Sequence, residues 1–247
     1  MLASLFITLR EGLEAALIVA IVLAYLRQVD DLGTARQVWV GVAAAAGVSI
    51  AAGGLLFLTG GELSGSAEAL FEAAIMIAAV VILTYMMLWM QRQAATQGAQ
   101  IRHEVHSALA LGGGALFWFA FLAVVREGFE TALFLFAASR DARPLETLMG
   151  ALAGLLLAVA AGYLVYRGSA RLPLKTFFTV TNVALAGFAV YLVWRAVGEL
   201  GELVGGEAFE IVGPVAAAVY GALIAVGLRR AKRTTPPAEA ASEGRAA

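Results

Sequence analysis

Seven long apolar runs dominate the chain, at about 2–26, 37–59, 68–90, 109–138, 146–166, 177–197 and 209–228, and most of the charge falls outside them. About 20 apolar residues in a helix cross the hydrocarbon core of a bilayer. A segment in lipid must satisfy its own backbone hydrogen bonds, so each run predicts a transmembrane α-helix. Small residues recur inside the runs, as in Gly41, Gly47 and Gly53 or Gly150-x-x-x-Gly154-x-x-x-Ala158, a composition that lets helix backbones approach closely. Beyond Leu228 the apolar pattern stops, and residues 229–247 are expected to form a disordered cytoplasmic tail behind a single transmembrane unit, 1–228.

Composition agrees with the pattern. The 247 residues are 61% hydrophobic and 14% charged, with a mean hydropathy of +0.85, whereas soluble chains run at about 45–50% and about 25%. A soluble enzyme, a nucleic-acid reader and a secreted module are excluded. There is no cysteine, which removes disulfides, thiolate metal sites and cysteine catalysis. The start lacks a basic stretch and Arg10 breaks its apolar run, so no cleavable signal peptide is expected.

Charge placement sets the orientation. With the N-terminus outside, twelve Lys and Arg residues fall on the inner side and only Arg140, Arg143 and Arg195 on the outer side. The positive-inside rule therefore predicts N-out, C-in. Acids gather at the outer face, and the dense group Glu199, Glu202, Glu207 and Glu210 reads as an outer vestibule that attracts cations.

One motif occurs twice. Arg10-Glu11-Gly12-Leu13-Glu14 in the first run returns as Arg126-Glu127-Gly128-Phe129-Glu130 in the fourth. Three charges in five residues at membrane depth are expensive. In a helix Arg10 and Glu14 are i,i+4 neighbours, Glu11 and Glu14 are i,i+3 neighbours, and the second motif repeats the spacing. Gly12 and Gly128 fall on the opposite side, where another backbone can approach. One guanidinium cannot neutralise two carboxylates, so each motif keeps about one surplus negative charge. Both motifs lie about 12–14 Å below the outer surface, on helices running in opposite directions. Three helices per copy make the second copy inverted, the architecture that places a substrate site at a repeat interface.

The expected fold is therefore all-α: a polytopic membrane protein of seven spans, two inverted three-helix repeats plus one helix. Glu72, one turn into the third span, and Glu68, a turn above it, read as carboxylates of the ion path. Four glutamates without histidine or cysteine inside any span favour a hard polyvalent cation. His103 and His106 fall in an inward loop, and Thr179, Thr181 and Asn182 are accounted for by helix-packing hydrogen bonds. Three alternatives to a metal importer stand beside this reading: a proton-coupled transporter of another divalent cation, a membrane di-iron oxidase and a structural membrane subunit.

The doubled pentapeptide, the seven spans, the N-out start and the run Phe71-Glu72 through Trp89-Met90 closely resemble the oxidase-dependent iron permeases, which include the fungal high-affinity iron permease and bacterial relatives in ferrous-iron uptake. The likeness extends to about residue 228, with Phe129 standing where the first motif has Leu13. It implies a transporter and not an enzyme, with iron as Fe(II) or Fe(III) the cargo, no catalytic residue and no tightly bound cofactor. Glu11, Glu14, Glu127 and Glu130 would be the iron ligands, held by Arg10 and Arg126. Rocking of one repeat against the other would release the ion. The implied setting is the lipid of a bacterial plasma (inner) membrane, with any iron-oxidising or iron-delivering partner a separate periplasmic or extracellular protein and no nucleic acid involved.

Overall fold

A computed structural model describes residues 1–93, 101, 103–108, 114–140, 143–167, 174–204 and 209–234. Among the described residues it contains seven long helices: α1 (Leu2–Gln28), α2 (Ala35–Glu62), α3 (Ser66–Gln93), α4 (Ala115–Ser139), α5 (Pro144–Tyr166), α6 (Leu174–Val204) and α7 (Phe209–Thr234). A 3-10 turn, Leu32–Thr34, links α1 to α2, and no strand occurs among the described residues. Gly65, at φ +62, makes the tight turn between α2 and α3, a conformation that a Cβ disfavours.

Five helices, α2, α3, α5, α6 and α7, are long and apolar enough to cross a membrane. The remaining two, α1 and α4, have similar length, but each carries the three charges of the repeated motif. Apolar side chains cover much of the outside, among them Ile50, Leu55 and Leu58 on α2, Leu156 on α5 and Leu223 on α7. A belt of that kind is a surface for lipid and not for water.

The helix ends depart from the apolar runs at three places. The fourth helix begins at Ala115, behind Gly114; the triple glycine 112–114 is a poor helix start, and 109–113 lie outside the described residues. The sixth helix continues past residue 197 to Val204, where the i,i+4 pair Arg195–Glu199 supports an added turn. The seventh runs to Thr234, so the first six residues of the expected disordered tail are helical. Arg and Lys are good helix formers and suit the negative end of the helix dipole. Residues 235–247 lie outside the described ones.

The most extensive helix pairs are α1 with α5, α2 with α4, and α3 with α6, followed by α6 with α7 and α1 with α4. Exchanging α1, α2 and α3 for α4, α5 and α6 leaves the first three pairs unchanged as a set. Small residues set the first two. Along α5, a Cβ on Gly154 would lie 2.5 Å from the Leu5 carbonyl oxygen, and one on Gly162 would lie 2.6 Å from Ala16 Cβ. Along α2, a Cβ on Gly41 would lie 2.5 Å from the Phe117 carbonyl oxygen, and one on Gly60 2.6 Å from the Phe136 ring. Without a hydrophobic driving force in lipid, such stripes of small residues decide which helices touch. The third pair closes over Met76, Leu83, Met87, Phe134, Leu185 and Leu192, all buried in one core. Residues 103–108 are helical, and Val105 packs beside Leu26 and Val38.

Candidate metal site

The two motifs meet where α1 crosses α4. Arg10 is fully buried, with Nη1 3.0 Å from Glu11 Oε1 and Nη2 3.2 Å from Glu14 Oε1. Its Nη1 also lies 3.3 Å from Met86 Sδ on α3. In the second motif Arg126 Nη2 lies 2.5 Å from Glu127 Oε1, and Nε lies 3.6 Å from Glu130 Oε1. One arginine thus reaches both glutamates of its own motif in each helix.

Carboxylate oxygens of Glu11, Glu14 and Glu127, all buried, lie within 4.8 Å of one another. Glu130, one turn along α4 from Glu127, is not part of this group of three. Glu11 Oε2, Glu127 Oε2 and Glu130 Oε2 are buried and take no hydrogen bond from any described residue. Buried polar atoms are nearly always paired, so these oxygens suit a ligand with positive charge. Two guanidiniums face four carboxylates, which leaves about two negative charges if all are ionised. Hard oxygen donors and surplus charge fit a divalent or trivalent cation.

Glycines let the motif helices come this close to their neighbours. A Cβ on Gly12 would sit 3.0 Å from Ala158 Cβ on α5, and one on Gly128 would collide with Ser49 on α2. The halves are nevertheless unequal: the Arg10 side chain has no exposure, and that of Arg126 is 52% exposed.

Glu68 and Glu72 on α3 line an open cleft of about 570 Å³ together with Arg140, Arg195 and Glu199. Arg140 Nη2 lies 2.7 Å from Glu68 Oε1 and also contacts Glu72 Oε1. No spacing in the sequence connects Arg140 to carboxylates some seventy residues earlier, and sequence reasoning gave it no role. Glu199 pairs with Arg195 at 2.9 Å. Of the other acids expected in the vestibule, Glu202 falls in α6 and Glu210 in α7, while Glu207 lies outside the described residues. His103 and His106 are exposed and join no metal-binding group among the described residues. Thr181 donates to the Phe177 carbonyl within α6.

Residues 1–228 match the family described as Iron permease FTR1 family. The chain is 38% identical over 200 residues to proteins named ferrous iron permease EfeU from Escherichia coli (strain UTI89 / UPEC) and from Shigella sonnei (strain Ss046), covering 80% of this chain and 72% of each relative. It is 36% identical to the protein of that name from Yersinia pestis, over 80% of this chain and 71% of the relative. No solved structure matches.

Proposed function

From the premise that the chain belongs to the iron permease FTR1 family, a family of transporters and not of enzymes, we propose that it imports iron, as Fe(II) or Fe(III), across a bacterial inner membrane through a seat built by both Arg-Glu-Gly-x-Glu motifs. The di-iron oxidase alternative falls with that premise. The observation that carries the reading is the meeting of Glu11, Glu14 and Glu127 within 4.8 Å. All seven long helices span the bilayer in this reading, N-out and C-in, as two inverted repeats with α7 added.

Iron is drawn to the acidic outer mouth and passed by Glu68 and Glu72 to the seat between α1 and α4. There the carboxylate oxygens without hydrogen-bond partners become its ligands. Arg10 and Arg126 orient the glutamates and reduce the repulsion between them while the seat is empty. Inverted repeats commonly give alternating access by rigid-body rocking about a central site. The helix pairing suggests which bodies move. Because α1 packs most extensively on α5, and α2 on α4, rocking whole repeats would shear the two tightest glycine-lined contacts. Packed interfaces resist such continuous deformation. The moving bodies are therefore α1 with α5 against α2 with α4, and the seat lies at their boundary, with two glutamates on each.

Uptake of radioactive iron by cells that depend on this chain tests the reading. E14Q and E127Q should each lower uptake about tenfold or more while the protein remains in the membrane. Unchanged uptake in both variants would remove these residues from the ligand set.

A further inference from the structure

In the cleft, Arg140 already occupies the place that an arriving cation would take. It follows the last turn of α4, and one nitrogen, Nη2, reaches Glu68 Oε1 at 2.7 Å and also Glu72 Oε1. Its guanidinium carbon lies 5.8 Å from the centre of the Phe136 ring, and that ring is held edge-on by Phe57 and Phe71. Glu72 is almost wholly buried, while the side chain of Arg140 is 25% exposed.

The geometry points to Arg140 as a tethered counter-cation that holds the Glu68–Glu72 pair until a polyvalent ion displaces it, so that it selects the cargo by charge. A monovalent ion brings no more charge than the guanidinium and lacks its charge-assisted hydrogen bonds. At equal distance a divalent or trivalent ion brings two or three times the Coulomb attraction. The displaced guanidinium is not stranded, because the face of Phe136 remains beside it as a cation–π partner. Arg140 is then a positioning residue and not an iron ligand. The inference rests on the reading of Glu68 and Glu72 as steps of the ion path, and it does not involve the seat between α1 and α4.

Manganese(II) binding to the full chain in detergent, followed by the spin-resonance signal of the free ion, tests it without transport. With the central seat removed in every sample by E14Q/E127Q, R140Q should bind Mn(II) about tenfold more tightly than the chain with Arg140 intact, and adding E72Q should abolish that gain. Equal affinity in R140Q, or a gain that survives E72Q, would overturn the proposal. A second measurement needs no substitution: phenylglyoxal modification of Arg140, followed by peptide mass spectrometry, should become several-fold faster when Mn(II) is added. An unchanged or slower rate would overturn it equally. Failure of the central seat is read separately, in iron uptake by E14Q.

Discussion

Glu14 and Glu127, on helices that begin more than a hundred residues apart, place carboxylate oxygens within 4.8 Å of each other. Two groups that share one ligand are energetically coupled, so their substitutions do not add. In metal-binding titrations of the purified chain, E14Q/E127Q should therefore be little weaker than the worse single variant. Losses that simply multiply would mean the two residues serve separate ions.

The two arginines should differ in what they support. Arg10 is fully buried against two carboxylates, and removing one partner of a buried ionic group costs about 3–5 kcal/mol. R10Q should lower the thermal unfolding midpoint strongly and reduce the amount of protein in the membrane. R126Q, at a half-exposed position, should unfold close to the unaltered chain yet still lose iron uptake. Equal midpoints for the two variants would contradict the difference in burial.

Gly128 has less room than Gly12. G128A drives its Cβ into Ser49, whereas G12A meets Ala158 Cβ at 3.0 Å. Overpacking of this kind costs about 1–3 kcal/mol, so G128A should unfold at the lower temperature in detergent. Adding S49G should restore much of the loss. No recovery in G128A/S49G would show that contact with α2 is not the cause.

A crosslink between α2 and α4 tests the moving bodies. The chain has no cysteine of its own, and a Cβ on Gly53 would lie 3.3 Å from Ala132 Cβ, near the separation a disulfide needs. Oxidised G53C/A132C should keep most of its iron uptake, since the two helices travel together. Uptake that stops on oxidation and returns on reduction would show that they must separate.

Orientation is open to direct labelling. Ser66 and Ser107 are both exposed, and in the N-out arrangement they face opposite sides. A membrane-impermeant maleimide should label S66C in intact cells and S107C only after permeabilisation. The reverse pattern would invert the topology.

Sequence alone determined the family resemblance and the main lines of an all-helical membrane architecture. Apolar run length specifies helices in lipid, because the backbone has no other way to bond there, and the doubled pentapeptide shows which helices carry charge. Helical periodicity turns Gly12 and Gly128 away from the glutamates, and a Cβ there would meet Ala158 and Ser49. Three things were decided only in three dimensions. Pairing of α1 with α5 and of α2 with α4 depends on which small-residue stripes fit which partner, a property of two surfaces at once. The difference between a buried Arg10 and a half-exposed Arg126 arises from neighbours outside both motifs, Met86 among them. Arg140 reaches Glu68 and Glu72 only because α4 ends beside the start of α3, and a contact between helix ends leaves no periodic trace along the chain.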